Sequence, residues 1–413
     1  MLGRPSDDPR VVRRTQIVDV LRAVPAGVLV PVESTIVLTI AITRFDAPGW
    51  VKGSIAAASG VGLLLSPVVT ARARTTGRPI MVVAAAISAV GAIGLAVGAT
   101  GALALLVVGS IVGIAAISAP IPLTTATYER NFAALDRGRR VGRGMAVRVA
   151  VGALAGLWMG QLLKHHPDRW WQLLVLAAVA LALVGVAQAN IPSEPLAPVD
   201  GGSRALPHFH LLGEDRQLRL TLIAWMLMGF GNLMLLPLRV EYLASPRYGI
   251  AADAAQITLL TVTVPSIVRL ACMPLFGSLF DRLSFFSARI MVNLLFALYV
   301  AAFFSGSSDL GLFLGAIAFG VGSAGGDLMW SLWVTKFAPP GRVADYMGLH
   351  TFFTGVRAVS APMLGFLVIE RFDLETVAWI AAALIVVSSM VLLPEARLER
   401  RNRAAEQPVE VNR

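Results

Sequence analysis

The chain has 413 residues, of which 56% are hydrophobic and 15% are charged, and its mean hydropathy is +0.72. A water-soluble domain of this length needs more charge to cover its surface, so the composition excludes an ordinary soluble protein. The formal net charge of +10 would suggest a nucleic-acid partner in a soluble protein. Here the arginines stand in short segments between apolar stretches, so we expect no nucleic acid and a chain embedded in a lipid bilayer.

Apolar stretches of about 20 residues, the length that crosses a hydrocarbon core as a helix, recur along the chain. They predict twelve transmembrane helices at residues 18–43, 50–71, 79–98, 102–127, 143–164, 170–191, 218–240, 255–278, 289–306, 310–334, 346–368 and 376–393. The first stretch is too long for a signal peptide, so we expect it to remain in the mature protein.

A segment rich in proline, glycine and charge separates these helices into two sets of six. We expect a first six-helix half at residues 1–191, a cytoplasmic linker at 192–217, a second six-helix half at 218–395 and a cytoplasmic tail at 396–413. The halves echo each other, because Arg148 and Arg357 occupy matching helices and each precedes a glycine by eight residues. The predicted fold is an all-α membrane protein of two pseudo-symmetric six-helix bundles.

Lysine and arginine concentrate in the segments that would share one side of the membrane. These include the first 16 residues, 72–78, 137–143 and 397–403, whereas few basic residues fall in the segments of the other side. The positive-inside rule therefore predicts that both termini and the linker are cytoplasmic. Because lysine is scarce while arginine and alanine are abundant, we expect a bacterial inner membrane.

A glycine, an Asp-Arg pair and a further arginine follow the eighth predicted helix, at Gly277, Asp281, Arg282 and Arg289. This pattern resembles the loop signature of the major facilitator superfamily, and the helix count, the linker and the repeated halves extend the resemblance over the chain. It implies a secondary transporter that works by alternating access, with Gly277, Asp281 and Arg282 in a gating motif. The corresponding segment of the first half, residues 66–78, keeps basic residues but lacks the aspartate.

Two carboxylates stand inside predicted helices: Glu33 in the first and Asp327 in the tenth. A charge at the bilayer centre costs at least about 2.5–3.5 kcal/mol unless it faces a cavity or a partner. The resemblance implies that the first, fourth, seventh and tenth helices line a central cavity, so we expect both residues there. A cavity carboxylate can exchange a proton, which predicts proton coupling. The alternative for Glu33 is a structural ion pair with an arginine.

Three arginines, Arg148, Arg269 and Arg357, stand in the fifth, eighth and eleventh predicted helices. Each must pair with a carboxylate or bind something anionic. Because Glu33 and Asp327 supply only two partners, we expect an anionic or zwitterionic substrate. The alternative for Arg148 is that its long side chain reaches the cytoplasmic interface.

Two uncharged residues complete the expected cavity. Trp330 follows Asp327 by one helical turn and would stack on a substrate, although tryptophan also fills helix interfaces. Asn232 would offer a polar cavity contact or an interhelical hydrogen bond. In the fifth helix, glycines at 152, 156 and 160 form one smooth face, for which plain helix packing is the simplest explanation.

The sequence contains no phosphate-binding loop, nucleophile elbow or metal-ligand spacing, and its one cysteine is Cys272. We therefore expect no catalytic residues, no enzyme activity, no cofactor and no metal. The expected partners are a small solute, a coupling proton and the lipid bilayer, and we expect a monomer. The alternative function is a membrane sensor or assembly factor of the same fold, in which the buried charges would pair at dry helix interfaces.

Overall fold

The computed structural model describes residues 8–196, 209–332 and 343–406, and these ranges form helices and connecting turns without a strand. Eleven of the described helices are long and apolar enough to cross a membrane, and a bent pair of shorter helices makes a twelfth span. The prediction of a twelve-helix membrane protein is therefore confirmed.

The first half contains six spans, α1 to α6. Helix α1 consists of Pro9–Pro31, Val32–Ile36 and Val37–Thr43, and α2 consists of Gly49–Ala56 and Ala58–Thr76, which meet at a bend of 46°. They are followed by α3 at Ile80–Gly98, α4 at Leu103–Ser118 and Ile121–Asn131, α5 at Ala134–His165 and α6 at Trp170–Asn190.

The second half contains α7 to α12, preceded by the helical turn Leu211–Glu214. Helix α7 spans Arg216–Ala244, and α8 consists of Ala254–Thr258, Leu259–Thr263 and Val264–Arg282. They are followed by α9 at Phe285–Phe304, α10 at Asp309–Leu332, α11 at Val343–Val368 and α12 at Leu374–Glu406.

Three of these helices extend well beyond the predicted spans. Helix α1 begins at Pro9 rather than at 18, α5 begins at Ala134 rather than at 143, and α12 ends at Glu406 rather than at 393. Hydropathy marks the part of a helix that lies in the hydrocarbon core, whereas the helical hydrogen bonds continue through the charged residues outside it. The predicted boundaries were wrong there for that reason.

Both α1 and α8 contain a π-helical turn, at Val32–Ile36 and Leu259–Thr263. The two turns meet between the halves, where the hydroxyl oxygens of Thr35 and Thr261 lie 3.0 Å apart. In α1 the turn follows Pro31, which has no N–H to donate to the carbonyl one turn earlier. A π turn changes the direction of the side chains that it carries, and this one carries Glu33.

The halves pack against each other mainly through two helix pairs, α2 with α11 and α5 with α8. Small residues allow the close approach: a Cβ added to Gly60 would lie 2.6 Å from the carbonyl carbon of Ala358, and one added to Gly53 would lie 3.0 Å from the Cα of Met363. A Cβ added to Gly156 of α5 would lie 3.0 Å from the Val262 Cγ1 of α8. Contacts this close fix the separation of the two bundles beside the cavity.

Candidate functional site

A cavity of about 770 Å³ lies between the two halves. Its walls come mainly from α1, α2, α4 and α5 of the first half and from α7, α10 and α11 of the second. It extends from Tyr128 and Val141, near the end of the bundle where α1 begins, to Leu38 and Pro237 deeper in the protein. The size suits a small solute.

Glu33 and Arg148 form an ion pair on the first-half wall of this cavity. The π turn of α1 carries Glu33, and α5 carries Arg148, with the carboxylate Oε2 and the guanidinium Nη2 3.8 Å apart. The side chains are 23% and 43% exposed, so solvent in the cavity can reach both. Arg148 therefore pairs with a carboxylate on the cavity wall.

Asp327 and Arg269 form a second ion pair across the cavity, between α10 and α8. Asp327 lines the cavity, whereas Arg269 lies behind it and reaches the carboxylate from α8. Arg148 is close enough to Asp327 to interact with it electrostatically. The two pairs therefore place two carboxylates and two guanidinium groups from both halves in one charged cluster.

A third charged group, which the sequence analysis did not single out, lies toward the end of the cavity where α1 begins. Asp19 accepts hydrogen bonds from Arg22, at 2.7 Å, and from the hydroxyl of Tyr128 on α4, at 2.5 Å. Arg22 also donates to the Tyr128 oxygen at 2.9 Å. The spacing of Asp19 and Arg22, one turn apart in the apolar start of α1, was a signal for this pair.

Arg357 lines the second-half wall and is 5% exposed. It donates to the carbonyl of Trp225 at 2.6 Å and to the hydroxyl of Thr354 at 3.3 Å. The Arg357 side chain packs directly against α7 at Gly229, which has no side chain. A Cβ added to Gly229 would lie 2.5 Å from the Arg357 Nε.

Arg289 also lines this wall, contrary to the expectation that it belongs to the basic loop before the ninth helix. Helix α9 already begins at Phe285, and Arg289 is 2% exposed inside it. Its guanidinium carbon lies 3.8 Å from the centre of the Trp225 ring. The apolar residues on both sides of Arg289, at 285–286 and 290–292, were the signal that it is buried.

Trp330 and Asn232 both line the cavity. The Trp330 ring packs 5.8 Å from that of His350, which in turn lies 5.0 Å from Trp225. The amide oxygen of Asn232 is buried and accepts no hydrogen bond from any residue of the described ranges. Its hydrogen-bonding capacity is therefore unused by the described residues.

The predicted gating motif lies at the end of α8. The helix continues through Gly277, Asp281 and Arg282 and ends there. The side chains of these three residues lie outside the part of the structure that is described.

Two ion pairs connect the halves at the opposite end of the bundle. Lys52 at the start of α2 contacts Glu241 at the end of α7, at 2.8 Å, and Lys164 at the end of α5 contacts Asp253 beside the start of α8, at 2.9 Å. Lys52 also lies over the ring of Phe366, 5.5 Å from its centre. We call the Lys52–Glu241 and Lys164–Asp253 contacts the latches, and they join the halves at this end of the bundle.

Solved structures share this fold over nearly the whole chain. The chain aligns with a variant of the nucleoside transporter NupG at 15% identity and a TM-score of 0.71, covering 93% of this chain and 99% of that one. It aligns with a D-xylose-proton symporter at 12% identity and 0.70, covering 92% and 97%. The human organic anion transporter MFSD10 (TETRAN) gives 17% identity and 0.62, covering 94% and 100%.

Sequence comparison finds a family match in the second half of the chain. No curated protein sequence matches the chain significantly. The sequence model of the Major Facilitator Superfamily, however, matches residues 221–412, which include α8 to α12 and nearly all of α7. The match covers a little under half of the chain, so the second half is similar in sequence to the Major Facilitator Superfamily, and the whole chain shares its fold with the transporters of known structure described above.

Proposed function

We propose that the protein is a proton-coupled secondary transporter of a small anionic or zwitterionic solute and that it works by alternating access. One observation carries the proposal: Glu33 and Asp327 line the cavity between the halves, and each is paired with an arginine. Carboxylates at membrane depth are costly unless they serve such a site.

The loose geometry of the Glu33–Arg148 pair supports proton exchange. The 3.8 Å between the Glu33 carboxylate and the Arg148 guanidinium is too long for a hydrogen bond, although the two charges attract each other. Protonation of Glu33 therefore breaks no hydrogen bond between the two side chains. Protonation of Glu33 would leave Arg148 free to interact with a bound anion or with Asp327, the other carboxylate within its electrostatic reach. Proton binding and solute binding would then be linked through one guanidinium group.

The structural neighbours support the same class of function. One is a D-xylose-proton symporter and another an organic anion transporter, so proton coupling and anion transport both occur on this fold. For this chain we propose a monomer in a bacterial inner membrane, with cytoplasmic termini and residues 192–217 as a cytoplasmic linker. We also propose that Gly277, Asp281 and Arg282 take part in gating.

A sensor or assembly factor of the same fold is the competing function. It would not need solvent-accessible charges between the halves, and its ion pairs would lie at dry interfaces. The 23% and 43% exposure of Glu33 and Arg148 to the cavity favours the transporter.

Proteoliposomes with a trapped pH indicator test the proposal. A panel of organic acids and neutral solutes is added outside, and we expect the transported solute to change the internal pH. Glu33→Gln removes the proton-exchanging group and should abolish uptake driven by a pH gradient while the protein stays folded. Normal gradient-driven uptake by this variant would refute the role of Glu33.

Glu194→Gln is the matched control. Glu194 also pairs with an arginine, Arg130, but its side chain is 65% exposed and lies outside the cavity. The same substitution there should leave gradient-driven uptake unchanged.

A further inference from the structure

Arginines outnumber carboxylates around the central cavity. Among the described residues, the carboxylates that line it are those of Asp19, Glu33 and Asp327. Each of them pairs with one arginine, in the pairs Asp19–Arg22, Glu33–Arg148 and Asp327–Arg269. Arg289 and Arg357 also line the cavity and have no carboxylate partner among the described residues. This wall of the cavity therefore carries two positive charges that no described carboxylate neutralises.

Most N–H donors of the Arg289 guanidinium make no hydrogen bond within the described part of the chain. Its guanidinium lies over the ring of Trp225 and donates one hydrogen bond, at 3.1 Å, to the thioether sulfur of Met228. A thioether is a weak acceptor, whereas a guanidinium has five N–H donors. Stacking on tryptophan holds the group in place and leaves N–H donors for an anion.

Arg357 also lies near the ring of Trp225. Its guanidinium carbon is 5.7 Å from the centre of the Trp225 ring, and its two hydrogen-bond acceptors, the Trp225 carbonyl and the Thr354 hydroxyl, are neutral. It is close enough to Arg289 for the two cations to interact electrostatically. Two buried like charges side by side are unfavourable until an anion binds between them.

The surroundings of the two arginines restrict the ligand further. Apolar side chains of Met228, Leu233, Phe296 and Trp330 line the same cavity and suit an apolar body. An ammonium group on the ligand would need a free carboxylate, and each described carboxylate of the cavity already has an arginine partner.

We propose that Arg289 and Arg357 bind the acidic group of the substrate and that the substrate is a small organic anion with an apolar body rather than a zwitterion. The proposal rests on the transport function proposed above and assigns its substrate class. Asn232, on the same helix as Met228, would orient a hydrogen-bond donor of the ligand.

The test measures binding to the purified full-length protein by the rise in its melting temperature. The probes are benzoate, hexanoate and benzenesulfonate, each compared with its neutral amide, together with inorganic phosphate and phosphatidylglycerol. We expect the acids to raise the melting temperature and to do so at lower concentrations than their amides, with phosphate alone having no effect.

Arg289→Gln and Arg357→Gln should each weaken binding of the acids by about tenfold to a hundredfold, the value of one or two charge-assisted hydrogen bonds. If either variant does not fold, two milder substitutions replace them. Arg289→Lys keeps the positive charge but removes the planar guanidinium that can donate two parallel hydrogen bonds. Gly229→Ala moves the Arg357 side chain without changing that residue. Both substitutions should weaken binding by several fold.

Arg239→Gln is the matched control. Arg239 is 2% exposed and lies over the ring of Phe319, 4.1 Å from its centre, but it does not line the cavity. Like the Arg289 and Arg357 variants, Arg239→Gln removes one positive charge from the second half. It should change binding of the acids by less than about twofold, because Arg239 makes no contact with the ligand in this proposal.

Three results would overturn the proposal: amides that bind as well as the acids, phosphate or phosphatidylglycerol as the only binder, or an equal loss in the Arg239 variant. These outcomes concern binding alone. The two proposals can also fail separately in the transport assay. Proton-coupled flux of a neutral solute would refute the proposed substrate class and leave the proposed transport function intact.

Discussion

The Arg269–Asp327 ion pair joins α8 to α10 at the edge of the central cavity. Removing one partner leaves an uncompensated charge at membrane depth, which costs about 3–5 kcal/mol at fully buried sites. Here the side chains are 26% and 35% exposed, so the cost is smaller, about 1–3 kcal/mol.

A double-mutant cycle measures this pair. Arg269→Gln and Asp327→Asn should each lower the melting temperature of the purified protein, and the double variant should be more stable than the sum of the single effects predicts. We expect a coupling free energy of about 0.5–3 kcal/mol, typical of residues in direct contact. Additive single effects would contradict the pairing.

At the scale of single residues, the sequence was informative wherever a charge interrupts an apolar stretch. Glu33, Asp327, Arg148 and Arg357 could be predicted to line a cavity because a charge at that depth needs water or a partner. Which arginine pairs with which carboxylate could not be predicted, since pairing depends on contacts between distant helices. The buried position of Arg289 was overlooked because the basic motif before it indicates a loop, although the apolar residues on both sides of it were a signal for burial.

The glycine face of α5 shows how an element sets the distance between the halves. Gly156 packs against Val262 of α8, and Gly160 approaches Thr258 of the same helix so closely that a Cβ would collide with its hydroxyl. Gly152 instead faces Val30 of α1 within the first half. The glycines therefore serve close packing on both sides of α5, as the sequence suggested.

Gly160→Val should force α5 and α8 apart and lower stability by about 1–3 kcal/mol, the usual cost of overpacking. Gly142→Val in the same helix is the control, because nothing lies within 4 Å of a Cβ built there. Thermal denaturation of both variants checks the prediction. Equal stability of the two variants would mean that the α5–α8 contact adapts to a larger side chain.

At the scale of elements, the existence of the helices could be predicted better than their ends or irregularities. Twelve apolar stretches correspond to twelve spans, but hydropathy could not show that α1 and α5 continue as helices through charged residues. The π turn that carries Glu33 also left no periodic signal, because one widened turn does not change the apolar content by which the helix is recognised.

At the scale of the whole molecule, the latches join the two halves at the end of the bundle opposite the start of α1. Burial alone would raise the pKa of Asp253, but hydrogen bonds from the backbone N–H of Gln256 and from Lys164 lower it below its ordinary value. A lowered carboxyl pKa favours the latched form at pH values above the ordinary pKa, and this contribution is lost only as the pH falls through the lowered value. The latch therefore stays charged at neutral and mildly acidic pH.

The relation between the halves was the least predictable feature. Repeats in the sequence indicated two similar bundles, but the latches connect Lys52 with Glu241 and Lys164 with Asp253, residues far apart in the chain. No pattern within one helix encodes such contacts. Under alternating access the latches must break during each transport cycle, since the cavity has to open on their side.

Accessibility of a single cysteine from both sides of the membrane tests alternating access most directly. Ser323→Cys on the cavity wall, in a Cys272→Ser background, gives one reactive thiol in the cavity. We predict that a membrane-impermeant thiol reagent modifies it from either side, and faster from the latched side when Glu241→Gln and Asp253→Asn are added. Modification from one side only, with or without the latches, would contradict transport through this cavity.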